Sequence, residues 1–176
     1  MESQEQLSYP VGKFVPTSSP SIDTLTQWRQ IIADFPARLR AETSDLTTEA
    51  LAFRYRPGGW TIQQVVHHCA DSHMNALVRF KLALTEEHPT INPYKEAAWA
   101  EMDDYQLPIE ISLAILEGLH HRWVTLLEHM HTEQYQRSFF HPQHGIPFSL
   151  TLALDNYQWH CRHHLAHVQQ AKQLKF

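Results

Sequence analysis

The chain has 176 residues, 43% of them apolar, which suits one domain able to bury a core without disulfides or a metal staple. A net charge of −5 and a pI near 6.2, with no run of Lys or Arg, exclude the basic stripe of a nucleic-acid binder. Apolar runs stay well short of the about 18–20 residues of a membrane span, and the two cysteines, Cys69 and Cys161, form no CxxC, which suits a reducing cytoplasm.

The opening segment MESQEQLSYP lacks the basic end and apolar run of a signal peptide. Residues 1–20 are expected to form an irregular arm, since Pro10, Pro16 and Pro20 oppose helix. From Ile22 the pattern turns helical: Ile22, Leu25, Trp28, Ile32, Phe35 and Leu39 recur every three or four residues, and Pro36 should kink or interrupt the helix near Phe35. A helical turn over Thr47–Ala52 precedes the breaker Arg56-Pro57-Gly58-Gly59.

A second long helix starts at a capping box, Thr61 with Gln64, and carries Ile62, Val65, Val66, Cys69, Ala76, Leu77, Phe80 and Leu84 until His88-Pro89 stops it. A long connection follows, with a short helix expected over Glu96–Met102. Pro108 suits the first turn of a third helix lined by Ile109, Leu113, Leu116, His120, Trp123 and Leu127. Residues 138–148 read as extended, with a turn at His144-Gly145. Ser149 can cap a fourth helix, with Leu150, Leu154, Tyr157, Cys161, Val168 and Ala171 on one side. Residues 21–176 are thus expected to form an all-α four-helix bundle with one long crossover connection.

Histidine is the anomaly: there are 14, as many as Lys and Arg together, so the chemistry is sought there. The fourth helix holds WHCRHHLAHV, with two i,i+4 pairs, His160 with His164 and His163 with His167. Such pairs stand about 5–6 Å apart at Cβ, close enough to chelate one ion. At roughly 100° per residue His160 and His164 fall within the apolar stripe, whereas His163 and His167 lie toward its edge as exposed rings. The competing reading is a pair of core histidines bonded to tyrosine or backbone carbonyls. A third ligand should come from the second helix, where His67, His68 and His73 compete; phase favours His73 and leaves His68 about 120° from the stripe's centre.

The segments LSYPVGKF (7–14), YRPGGWTIQQVVHHCADSHMN (55–75), Pro93-Tyr94 to Trp99, and WHCRHHLAHV (159–168) resemble YfiT-like proteins of the DinB group of four-helix bundles, over nearly the whole chain from Leu7. The resemblance implies a zinc or nickel ion held by His68, which follows Trp60 by eight residues, and by His160 and His164. It also implies a cytoplasmic homodimer and a metal-dependent hydrolase acting on a small molecule, with related members that transfer a low-molecular-weight thiol such as bacillithiol. Cys161 and Arg162 within the histidine motif depart from the family pattern, which bears on pocket shape rather than ligation.

Three neutral imidazoles leave a tetrahedral zinc its double charge and one open position. Water there would have its pKa lowered toward about 7, and a thiolate would bind and stay nucleophilic. The motif contains no HExxH glutamate, so a zincin-type base is excluded. Asp71 has two readings, an acceptor orienting the His68 ring or a solvated helix carboxylate. Cys161 points about 100° from its ligand neighbour and reads as buried and apolar. His120-His121 should be one packed and one wet ring, and His141 and His144 solvated rings beside a turn. Arg79, Lys81 and Arg162 are candidate partners for a thiol cofactor's carboxylates. Three readings stay open: hydrolase, thiol S-transferase, and an ion that only ties two helices together.

Overall fold

The computed structural model describes residues 3–176 of the chain. Helix α1 (Gln4–Ser8) opens with a capping box, the Ser3 hydroxyl accepting from Gln6 N–H while the Gln6 amide oxygen accepts from Ser3 N–H. The arm is therefore not irregular throughout: its prolines begin only at Pro10, leaving one turn free to form, and Leu7 on that turn is buried. Met1 and Glu2 of the expected arm lie outside the described residues.

Helix α2 (Ile22–Thr43) runs through Pro36 without the interruption that is one of the two expected outcomes. Pro36 has no N–H for the carbonyl of Ile32, and that carbonyl instead accepts a 2.7 Å hydrogen bond from His120 Nδ1. The cost of an internal proline is met from outside the helix. Helix α3 (Thr48–Leu51) is the expected short turn, and α4 (Ile62–Thr85) begins at the Thr61–Gln64 capping box. The connection 86–108 carries α5 (Glu96–Trp99) and a 3-10 turn at Asp103–Gln106 before α6 (Ile109–Glu128), entered through Pro108. Strands β1 (Ser138–His141) and β2 (Ile146–Ser149) pair antiparallel, Phe139 opposite Phe148, around a turn that ends in Gly145 at φ 67°. Ser149 then caps α7 (Leu150–Leu174). The α4 C-terminus is closed by Arg137, whose guanidinium donates to the carbonyls of Ala83 and Glu86.

The long helices form a four-helix bundle in which α2 and α4 each pack on both α6 and α7. Consecutive long helices α2 and α4 therefore face each other across the diagonal, as do α6 and α7. Trp123, Phe35, Phe80, Ile32, Leu39, Leu116, Leu127 and Leu154 fill the centre. No described helix is long and apolar enough to cross a membrane.

The breaker before α4 is a packing element as well as a turn. A Cβ at Gly59 would lie 2.9 Å from Arg56 Cγ and 3.0 and 3.1 Å from the Tyr55 ring. That ring is buried and stacked on His167 with centroids 3.8 Å apart, so it has nowhere to retreat. Gly59→Ala is expected to destabilise by about 1–3 kcal/mol. Thermal unfolding should show it as a loss of roughly 2–4 °C per kcal/mol, and an unchanged Tm would count against this close packing.

Candidate metal centre

Because α4 and α7 are neighbours, the three histidines singled out by resemblance meet. One ring nitrogen from each of His68, His160 and His164 lies within 4.8 Å of the others. His160 and His164 share a face of α7, one turn apart, with ring centroids 4.3 Å apart; His68 approaches from α4 at 5.4 and 4.8 Å from these two rings. Nε2 of His68 and Nε2 of His160 face each other at 3.3 Å. Trp60, just before α4, packs on the His68 ring with centroids 4.7 Å apart.

Phase favoured His73 over His68 because it assumed one buried stripe. Helix α4 instead buries three sides: His67 faces α6, His73 the bundle centre and His68 α7. His67 bonds Ser112 Oγ at 2.7 Å and the Leu107 carbonyl at 3.0 Å, so both its nitrogens are satisfied. His73 also spends both nitrogens, on His120 and on His160 Nδ1. His68 does not: its Nδ1 is buried with no partner among the described residues.

Asp71 does not orient His68, and that expectation is corrected. Its Oδ2 accepts a 2.7 Å hydrogen bond from the Tyr105 hydroxyl, because its position on α4 turns it toward the Asp103–Gln106 turn. Burial raises its pKa, with the Tyr105 bond opposing.

Burial also sets the protonation of the cluster. It lowers the pKa of His68 to about 4, with the nearby His163 adding to the effect. It lowers those of His160 and His164 well below the ordinary 6.5, and adjacent imidazoles push the same way. Neutral rings with converging lone pairs are the state a metal ion requires. The fit is supported by what these nitrogens lack. The His164 ring is buried, and its one hydrogen bond among the described residues, to His167 Nδ1, is at 3.5 Å, the outer limit of hydrogen bonding. A buried imidazole left unsatisfied costs about 1–3 kcal/mol, which an ion would relieve. Three nitrogen donors also leave room for a fourth ligand.

The cluster meets a cleft through His160, which lines a space of about 290 Å³ together with Ser72, Arg79, Tyr94, His141 and Tyr157. A wider space of about 690 Å³ shares Arg79, Tyr94, Glu96, His141 and His144 with it. Of the three basic candidates only Arg79 lines it. Arg162 is exposed and donates to Gln158 Oε1, and Lys81 is exposed. The Tyr94 hydroxyl is buried without a hydrogen-bond partner among the described residues, and burial raises its pKa, keeping it a donor.

Three further expectations change. His163 and His167 are buried, not exposed. The arm lies over them: Tyr9 stands 5.9 Å from the His163 ring, and His167 Nε2 is 3.2 Å from the Ser8 carbonyl. Trp159 Nε1 donating to Gly12 O and Asp155 accepting from Thr17 N–H fasten the same segment. His141 is buried in the cleft wall, while His144 beside it is exposed. The packed and wet pair His120-His121 and the buried Cys161 are found as expected.

The DinB superfamily profile matches residues 32–168. A Bacillus cereus protein named "Putative metal-dependent hydrolase" is 49% identical over 165 residues, covering 92% of this chain and 93% of its own length. A Bacillus anthracis protein of the same name matches equally. A solved structure, described as YfiT from Bacillus subtilis, a probable metal-dependent hydrolase with an unusual four-helix bundle topology, superposes with a TM-score of 0.93. It is 44% identical and covers 96% of this chain and 97% of that one.

Proposed function

The chain belongs to the DinB superfamily, and on that footing we propose that it is a metal-dependent hydrolase of a small molecule, a cytoplasmic homodimer holding one divalent ion per chain. His68, His160 and His164 would hold the ion. The observation that carries the reading is the convergence of three neutral imidazoles from two helices, one of which, His160, also lines an open cleft. All-nitrogen donors with a free position suit zinc first and nickel second. When bound, such an ion supplies a Lewis acid that polarises an acyl or phosphoryl oxygen and acidifies water.

The chain's own groups supply the rest. The Arg79 guanidinium on the cleft wall presents a fixed positive charge to an anionic group of the substrate. The Tyr94 hydroxyl offers a donor that makes no hydrogen bond among the described residues, and Ser72 Oγ sits 3.3 Å from His160 Nε2. An ion that merely tied α4 to α7 would not need this opening. Arg79 also supports a second reading, transfer of a low-molecular-weight thiol such as bacillithiol, whose carboxylates it would hold.

Untagged protein is expected to bind one zinc per chain and to hydrolyse ester or amide probes. The activity should vanish on chelation and return with zinc. Turnover that requires an added thiol would favour the transferase instead, and a protein that takes up no zinc or nickel would remove the proposal.

A further inference from the structure

We propose that His73 and His120 are positioning residues for this site: together with the Ile32 carbonyl they form a directional chain that fixes the tautomer of His160. The inference rests on the metal-site reading, but the chain is visible in the geometry itself. It begins at the proline. Pro36 leaves the Ile32 carbonyl without a helical partner, and His120 Nδ1 lies 2.7 Å from that oxygen. A carbonyl only accepts, so the proton is on His120 Nδ1.

A neutral imidazole has one donor and one acceptor, so every later role follows. His120 Nε2 is then bare and accepts from His73 Nδ1–H at 2.7 Å. His73 Nε2 is bare in turn and accepts from His160 Nδ1–H at 3.0 Å. What is left on His160 is the Nε2 lone pair, the atom that faces His68 Nε2 at 3.3 Å. Reversing His120 or His73 would set two N–H groups against each other in a dry interior, and reversing His160 would set two bare nitrogens against each other.

The rings have little freedom to reverse. His73 is 0% and His120 2% exposed, and Phe35 packs against both, with centroids at 5.2 and 5.7 Å. Trp123 closes a second side at 5.9 and 5.8 Å. Metal-binding histidines usually donate their second N–H to a carboxylate, a backbone carbonyl or water. Here the backbone carbonyl is reached through two intervening rings, from a helix, α2, that contributes no ligand. A neutral chain orients His160 without setting a negative charge beside the site, so the ion would keep its full charge for polarising substrate.

The test reads tautomers directly. In full-length protein with ring nitrogens labelled with ¹⁵N, both metal-free and zinc-loaded, NMR should find Nδ1–H on His120, His73 and His160. Nε2–H on His73 in the wild type would overturn the proposal, whether or not zinc binds. Failure of zinc uptake with these tautomers intact would instead count against the metal-site reading. Zinc competition with a chelator is the second readout. His73→Phe should weaken affinity by about 10–100-fold, the usual cost of losing a metal ligand's hydrogen-bond partner. His73→Gln should restore most of it, because its Oε1 can accept from His160 Nδ1–H while its amide donates to His120 Nε2. Equal affinities for the Phe and Gln variants would argue against the chain. His120→Phe should let His73 reverse and draw His160 toward the Nε2–H form in the metal-free protein; His160 unchanged there would argue against it too.

Discussion

His164→Ala protein is expected to lose stoichiometric zinc, its affinity falling on the order of hundredfold or more, above the usual cost of losing a ligand's hydrogen-bond partner. Among the described residues His164 is one of three whose nitrogens are drawn to the common point, and no Asp, Glu or Cys joins that group to replace it. Each tenfold in affinity is about 1.4 kcal/mol, so the loss should be plain in a competition titration. The fold should survive, since the alanine removes a buried ring whose one hydrogen bond among the described residues is long and adds no polar group. The variant should therefore lose the zinc-dependent rise in Tm while keeping a metal-free Tm near that of the parent. That rise reflects up to about 4 kcal/mol at a thousandfold excess over Kd. His163→Ala is the matched control. It is one residue earlier on α7, equally rich in imidazole neighbours, but stacked on Trp159 at 4.4 Å and turned toward the arm. Zinc binding should be retained there. A His164→Ala protein that still held one zinc at parental affinity would refute the ligand set.

The contrast between His163 and His164 also shows what local pattern carries and what it omits. Helix starts were legible because their signals lie within four residues: Thr61 with Gln64, Ser149 with Leu152 N–H, Pro108 ahead of Ile109. The hairpin was legible for the same reason, Gly145 occupying the left-handed region that closes the turn. Phase placed His160 and His164 inward correctly, because α7 presents that face to α2 and α4 alike. It misplaced His163 and His167, since the surface covering them comes from residues 8–14, about 150 positions away in sequence and invisible to any periodicity. Choosing His68 over His73 needed knowledge that α4 packs on two neighbours at once; resemblance supplied that choice, and the phase argument pointed the other way. Pro36 is the clearest case of tertiary override. Local rules predict a kinked or broken helix there, and a histidine from α6, 84 positions later, satisfies the carbonyl that the rule leaves orphaned.

The same burial makes the metal-free protein acid-labile, with unfolding expected between pH 6.5 and about 4. Burial lowers the pKa of His120, His68 and His163 from 6.5 to about 4 and that of His167 to about 3. Each ring is neutral in the folded protein at pH values where the unfolded chain has already protonated it. The unfolded state therefore binds more protons throughout that window, and stability declines as pH drops through it. Above 6.5 the contribution is fully present; below the folded value no more is lost. His120 alone accounts for roughly 3 kcal/mol, at about 1.4 kcal/mol per pKa unit. Two or three such rings are enough to exhaust a typical stability of about 5–15 kcal/mol. Carboxylates do not explain a transition placed there. Glu42, lowered by its bonds to Lys172 and Gln169, loses its contribution only as pH falls below 4.5, and its pair with Lys172 is partly exposed and weak. Asp71 opposes the trend, since a raised folded pKa adds stability on acidification. Helical circular dichroism followed from pH 8 to 3 should thus show a steep loss in the metal-free protein. With excess zinc the midpoint should move to lower pH, because the ion competes with protons for the His68, His160 and His164 rings. A metal-free protein whose stability stayed level from pH 7 to 4 would mean that these rings are not held neutral in the folded state.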